Sequence, residues 1–334
     1  MVYPVIMAGG IGTRFWPCST PEKPKQFLNL LHPTQSMLEQ TAARFSKIFG
    51  RDHIWIVSGQ RFFSLLKGQA LGVKKEHLLL EPMMRNTAPC IGWVAWLLFQ
   101  KDPEALMAVV PSDHWIKGEN ALKADLKKAI RFVKKYPRAL MTFGVRPEYP
   151  ETGYGYIERR GEGKGRIFPV KRFVEKPVLS KAKRMIRSSH FLWNTGMFVW
   201  SARAILAEIK THLPLLYKGL TQLNSKNIKS VYRDFPNISV DYGILEKSKN
   251  VYVMHSSFQW SDLGNWRTLF LKTNRSSKVK KWISINTKNC FVRPQDKQIA
   301  TIGVSDLIIV DHPNGLLICH QKDSQQVREV SKYL

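Results

Sequence analysis

Short apolar runs at Pro4–Met7, Ile54–Val57, Leu78–Leu80, Leu106–Val110 and Leu140–Phe143 alternate with amphipathic, helix-like stretches over the first two thirds of the chain. Runs of this length bounded by turn residues read as strands, and strands separated by helices predict β-α-β units. The expected fold class is therefore α/β, built on a mostly parallel, doubly wound sheet. In such sheets ligands lie beyond the carboxyl ends of the strands. Polar signatures fall there as Ala8-Gly9-Gly10 after the first run, Glu81-Pro82 after the third and Pro111-Ser112-Asp113 after the fourth, so one crevice is expected. From Trp282 the texture changes to short β-type runs, Trp282–Ile285, Cys290–Arg293, Ala300–Ile302, Leu307–Val310 and Leu316–Cys319, separated by Asn, Asp, Pro and Gly. This predicts a large domain over residues 1–280 and a small all-β domain over 281–334, joined at the basic stretch Arg275–Lys281. The rungs of the tail are also compatible with a degenerate repeat.

With 334 residues and 44% hydrophobic content the chain can bury a full core. It opens Met1-Val2-Tyr3-Pro4-Val5-Ile6, without the features of a signal peptide. The longest uncharged apolar stretch, Cys90–Phe99, falls far short of the roughly 20 residues that cross a bilayer. A cytoplasmic protein without membrane contact is expected. Cys18, Cys90, Cys290 and Cys319 lie far apart, and the histidines are scattered, so neither a disulfide framework nor a zinc site is suggested. The net charge of +27 is the outlying figure. Part of it sits on Lys123, Lys127, Lys128, Arg131, Lys134 and Lys135, opposite Leu122, Leu126, Ile130 and Val133 at helical spacing, which reads as a solvated basic helix face. No base-reading motif accompanies it, so a nucleic-acid partner is not expected.

The sharpest local signal is Ala8-Gly9-Gly10-Ile11-Gly12-Thr13-Arg14 with Pro24-Lys25 a short distance on. Glycines let the backbone approach phosphate oxygens and offer amide donors, while Arg14 and Lys25 add fixed positive charge. The stretch lacks the third glycine of a dinucleotide fingerprint and the Gly-Lys-Ser/Thr of a P-loop. Taken alone, the glycines fit an ordinary strand-to-helix turn as well.

In company with the motifs further along the chain, this stretch resembles the signature of the sugar-phosphate nucleotidyltransferases. Phe15-Trp16-Pro17 and Lys25-Gln26-Phe27-Leu28 resemble, more closely, the mannose-1-phosphate guanylyltransferase (GDP-mannose pyrophosphorylase) group. The resemblance continues in order through Leu80-Glu81-Pro82, Arg85-Asn86-Thr87-Ala88-Pro89, Pro111-Ser112-Asp113-His114 and Thr152-Gly153-Tyr154-Gly155-Tyr156-Ile157. It then runs through Phe173-Val174-Glu175-Lys176-Pro177, Trp193-Asn194-Thr195-Gly196-Met197-Phe198, Ser239-Val240-Asp241-Tyr242 and Trp260-Ser261-Asp262-Leu263-Gly264. Ser19-Thr20 departs from the Ser-Arg that many members carry, and the chain ends at Leu334 without the cupin-like isomerase domain of longer relatives, so no phosphomannose isomerase activity is expected.

The resemblance implies a Rossmann-like nucleotide-diphospho-sugar transferase domain, a short left-handed β-helix as the tail, and a homodimer. It implies transfer of GMP from GTP to mannose 1-phosphate, giving GDP-mannose and pyrophosphate. Arg14, Lys25, Asp113 and Asp262 would be catalytic, with Asp113 and Asp262 on Mg2+, a hard cation suited to carboxylates. Spacing alone leaves each Asp equally well placed as a turn or helix cap. Ala8, Gly9, Gly10, Gly12, Thr13, Glu81, Asn86 and Thr87 would bind the nucleotide. A carboxylate at Glu81 can accept from guanine N1–H and the exocyclic amine together, a donor pair adenine lacks. Gly155, Glu175, Lys176 and Asn194 would bind the sugar phosphate, with Asp241 a weaker candidate. Tyr154, Tyr156, Trp193 and Trp260 suit either a sugar face or the core. A pyrophosphorylase of another base or sugar, and an idle nucleotide-binding regulatory relative, remain open alternatives at this point.

Overall fold

A computed structural model describes residues 1–10, 12–69, 71–224, 226–273, 281–330 and 332–333. Ile11 of the glycine stretch and residues 275–280 of the expected linker lie outside them. By compactness the chain forms two units, the first of Met1–Gly9, Thr41–Ser112 and Ile116–Trp260, the second of Gly10–Gln40, Asp113–Trp115 and Ser261–Leu334. This division follows packing, whereas a boundary at 280/281 follows the change in sequence texture.

The strands are β1 (Val2–Met7), β2 (Trp55–Gly59), β3 (Leu78–Glu81), β4 (Leu106–Pro111), β5 (Trp115–Lys117), β6 (Leu140–Val145), β7 (Tyr156–Arg159) and β8 (Ile167–Val174). They continue as β9 (Phe191–Ser201), β10 (Val251–His255), β11 (Gln259–Ser261), β12 (Trp282–Ile285), β13 (Phe291–Arg293), β14 (Ile299–Ile302), β15 (Leu307–His312) and β16 (Gly315–His320). The first unit holds a nine-stranded sheet in the order β3-β2-β1-β4-β9-β6-β10-β8-β7. Its β3-β2-β1-β4 half is parallel throughout, as the apolar runs predicted. The other half is mixed, because the middle of the chain adds antiparallel strands: β9 inserts between β4 and β6, and β8 and β7 follow β10.

β1 and β2 are buried on both faces, which explains their unbroken apolar runs. The helix Thr87–Lys101 covers one face, with Cys90, Ile91, Val94 and Leu98 in a core shared with Val5, Val57, Met107 and Trp200. The helix Glu119–Lys135 buries Leu122, Leu126, Ala129 and Val133 and leaves Lys123, Lys127, Arg131, Lys134 and Lys135 exposed, the amphipathic division expected.

β7 also pairs with β9, so the pairings β9-β6-β10-β8-β7 close into a ring. Ile157, Leu192 and Val253 form a separate buried cluster there with Phe168, Val170 and Phe173 packed against it.

In the second unit the tail coils upon itself. β12 pairs in parallel with β14 and β13 with β15, with partners such as Trp282↔Ile299 and Phe291↔Ile308, and a bridge joins Lys288 to Ser305. Each of these pairs is separated by the same number of residues, so the degenerate repeat has a structural basis. The left-handed turn residues obey it too: Asn286 matches Gly303, and Asn289 matches Asp306. Asn, Asp and Gly are the residue types that tolerate that conformation. Phe291, Ile308, Val310 and Leu317 of the tail share one core with Phe15, Leu28, Leu30 and Trp266.

Candidate active site

Gly9, Glu81 and Ser112 stand at or just beyond the carboxyl ends of β1, β3 and β4, and the chain passes into the second unit at Gly10 and again at Asp113. Within that second unit a cavity of about 280 Å3 is lined by Gly12, Thr13, Arg14, Lys25, Asp113 and Asp262, among others.

Its organising residue is Lys25, whose side chain is almost wholly buried. The ammonium donates to Asp113 Oδ2 at 3.0 Å and to the Asp262 backbone carbonyl at 2.5 Å. Residues far apart in the chain thus meet at one cation. Gln26 Nε2 donates to the Gly10 carbonyl at 2.9 Å, tying the glycine loop to the Lys25 turn. Gly12 adopts the left-handed conformation at φ 60° and starts the 3₁₀ turn Thr13–Phe15. A Cβ there would stand 2.7 Å from both the Lys25 backbone nitrogen and its Cβ. A Gly12→Ala variant is therefore expected to displace Lys25 and lower kcat/KM by about a hundredfold in a steady-state turnover assay.

Phe15 and Trp16 serve the scaffold. Phe15 packs edge-on against Trp266 at 4.9 Å, and Trp266 Nε1 donates to the Trp16 carbonyl at 2.9 Å. Asp262 is carried by a turn in which the fully buried Leu263 takes φ 47°, a strained conformation for a residue with a side chain. Arg328, which no motif indicated, adds a further guanidinium to the cavity lining, as does the neighbouring His114 an imidazole. His114 is held below its usual pKa by burial, against the attraction of Asp113 and with the repulsion of Lys25. Burial works to raise the Asp113 carboxyl, but Lys25 and His114 together hold it below the ordinary range.

Among the described residues no group of three or more His, Cys, Asp or Glu could hold a metal by itself. Asp113 and Asp262 are a pair of hard oxygen donors lining one cavity with cationic side chains. That set fits a hard divalent cation which takes its remaining ligands from phosphate and water.

The other expected residues lie in the first unit. Glu81 is buried, and its Oε1 accepts from the Tyr232 hydroxyl at 2.6 Å. Burial pushes its carboxyl up to about 7, against the hydrogen bond from Tyr232. Oε2 faces Gly9, 3.8 Å from where a Cβ would stand. Ala8 is a backbone element, its carbonyl accepting from Ser58 Oγ at 2.8 Å. Asn86 and Thr87 start the helix Thr87–Lys101. Asn86 Oδ1 accepts from the Thr87 amide at 2.9 Å, and Thr87 Oγ1 from the Val240 amide at 2.8 Å.

Gly155, Glu175, Lys176 and Asn194 do converge. A Cβ on Gly155 would stand 2.6 Å from Glu175 Oε2 and 3.6 Å from Asn194 Cβ, so a side chain there would push the Glu175 carboxylate aside. Lys176 pairs with Glu175 at 2.8 Å. Asn194 Nδ2 donates to Asp241 Oδ1 at 2.8 Å, while its Oδ1 accepts from Thr142 Oγ1 at 3.1 Å. Asp241 therefore belongs to this group, its carboxyl raised to about 6 by burial and by Glu175. Tyr154, Tyr156, Trp193 and Trp260 are all buried, with Tyr154 edge-on to both tryptophans, so they form core rather than a sugar platform.

A glycine loop against a buried lysine, a carboxylate pair on one cavity and a polar cluster on an α/β sheet define a phosphate-handling transferase. The chain belongs to the nucleotidyl transferase family, whose sequence pattern matches residues 3–278. Residues 280–334 match the MannoseP isomerase/GMP-like beta-helix domain. The mannose-1-phosphate guanylyltransferase of Escherichia coli is 32% identical to this chain, over 99% of it and 75% of that protein. The enzyme of the same name from Salmonella montevideo is 34% identical, over 99% of this chain and 73% of its own length. A solved structure, described as mannose-1-phosphate geranyltransferase from Thermus thermophilus, superposes with a TM-score of 0.89 at 29% identity, covering 99% of this chain and 98% of that one. No helix among the described residues is long and apolar enough to cross a membrane.

Proposed function

We propose that this nucleotidyltransferase is a mannose-1-phosphate guanylyltransferase, converting GTP and α-D-mannose 1-phosphate to GDP-mannose and pyrophosphate. The observation that carries the reaction class is the buried Lys25, held by Asp113 and Asp262 in a cavity that Arg14 also lines. The choice of guanine rests on the buried carboxylate of Glu81, and the choice of mannose on relatives that align with nearly the whole chain.

In the reaction a phosphate oxygen of the sugar phosphate forms a bond to the α-phosphorus of GTP. The bond from that phosphorus to the bridging oxygen breaks, and pyrophosphate leaves with the electron pair. The nucleophile is already an anion, so a general base is not needed. What the protein must supply is position and positive charge. Lys25 and Arg14 would face the triphosphate, with Gly10, Gly12 and Thr13 at the loop beside it. Mg2+, held by Asp113 and Asp262, would supply neutralisation of the phosphate charge. Glu81 would accept from the base, with Ala8, Gly9, Asn86 and Thr87 framing the nucleotide. Asn194 and Glu175 would hold sugar hydroxyls, with Gly155 giving close approach and Lys176 meeting the 1-phosphate.

As sequence modules, residues 1–280 and 281–334 are supported by the adjoining family matches. A cytoplasmic homodimer is the assembly we propose. The test of substrate is pyrophosphate release with Mg2+, crossing GTP, ATP, UTP and dTTP with mannose and glucose 1-phosphates. Turnover confined to GTP plus mannose 1-phosphate is expected. Preference for another pair would overturn the assignment of Glu81 or of the sugar, and no turnover with any pair would favour a regulatory relative.

A further inference from the structure

The ring of β6, β7, β8, β9 and β10 has a mouth at one end. β6, β7 and β10 finish there, at Val145, Arg159 and His255, and β8 and β9 begin there, at Ile167 and Phe191. The directions agree, because β10 runs parallel to β6 and antiparallel to β8, while β7 runs antiparallel to both β8 and β9. At this mouth lies a second cavity of about 280 Å3. Its polar lining is Arg146, Arg159, Arg187, His255, Ser188 and Ser189. None of the residues proposed for GTP or mannose 1-phosphate is among them.

Three guanidiniums lining one cavity sum to a positive potential there that an anion would lower. No carboxylate lines this cavity. Asp125, the acid whose charge reaches His255, is fully buried and already bound by Arg166 at 2.5 Å and by the Ser257 amide at 2.7 Å. Arg146 and Arg187 are exposed and have no carboxylate partner among the described residues. Arg159 is held in place by its stack on Phe168 at 4.1 Å and by donating from Nε to the Ser189 carbonyl at 3.2 Å. That leaves a fixed guanidinium with two exposed ones around a polar recess, an arrangement whose planar forks can grip a multidentate oxyanion.

We propose that this mouth is a second binding site for a phosphate dianion, carried by inorganic phosphate or by a small phosphomonoester, separate from the catalytic cavity. Arg159 forms its rigid floor, Arg146 and Arg187 close on the phosphate from solvent, and the Ser188 and Ser189 hydroxyls donate to its oxygens. The cavity reaches Leu192, two residues along β9 from Asn194, about 7 Å by the rise of a strand, and shares no lining residue with the sugar cluster.

The test is equilibrium dialysis with radiolabelled inorganic phosphate and with labelled glucose 6-phosphate, at constant ionic strength in chloride. The wild type is compared with the double variant R146Q/R187Q and with R187K, after thermal melts have shown all three folded. The double variant is expected to lose one site per chain, its affinity falling by at least about tenfold, with pyrophosphate release in the absence of added phosphate unchanged. R187K, which keeps the charge but not the fork, is expected to fall in between. Tighter binding of glucose 6-phosphate than of phosphate would assign a phosphomonoester, and equal binding would assign the free ion. Binding of both probes that is the same in R146Q/R187Q as in the wild type, or no binding of either, would overturn the proposal.

Discussion

A Lys25→Met variant is expected to lose about a thousandfold in kcat/KM, mostly in kcat, while remaining folded. Methionine keeps the volume and the unbranched stem but removes a cation that touches both Asp113 and Asp262. An ammonium carries three donors and these contacts use two, which leaves one direction for a ligand. Charge that develops on departing pyrophosphate then meets no preorganised partner in the buried part of the cavity. Stability should fall as well, and the sign of its pH dependence follows from Asp113. That carboxyl is held below its ordinary pKa, so its contribution is present above the unfolded value and is lost as pH falls through the folded one. The difference in Tm between wild type and variant should accordingly be larger at pH 7 than at pH 3. A loss in kcat/KM smaller than about tenfold would remove Lys25 from the chemistry.

Glu81→Gln should move stability and selectivity in opposite directions. The carboxyl is raised to about 7 mainly by burial, so the fold prefers its neutral form. Its contribution is full below the unfolded value and is lost as pH rises through about 7. A neutral amide does not suffer that loss, so the variant should gain up to about 3 kcal/mol above pH 7 and nothing below pH 4, read from denaturant melts at both pH values. At the same time an amide N–H would confront the donor edge of guanine, and the preference for GTP over ATP should fall by about a hundredfold. In the wild type, GTP affinity should weaken as pH falls below about 7, because only the ionised carboxylate accepts from both guanine donors. A GTP preference that survives the substitution would place base reading elsewhere.

The strands β1, β2, β3, β4 and β6 were legible in the sequence, since they follow from local periodicity. So was the basic face of the helix Glu119–Lys135. The glycine motif marked the loop correctly, because left-handed backbone at Gly12 is a property of one residue. What the sequence could not decide were contacts made across long separations. Nothing local says that Lys25 will bridge Asp113 and Asp262, that Tyr232 will cap Glu81, or that Arg328 will enter the cavity lining. Nor does hydrophobic patterning separate a buried aromatic cluster from a sugar platform, as Tyr154 and Trp193 demonstrate, because both uses need the same residues at the same spacing. The repeat in the tail is similar: Asn286, Gly303, Asn289 and Asp306 are ordinary turn residues until parallel pairing stacks them. Sequence alone thus determined which segments become strands and helices. Only tertiary packing decided which charges meet, how far burial shifts them, and that Phe15, Leu28 and Leu30 share one core with the tail, since desolvation and pairing depend on neighbours the chain supplies from elsewhere.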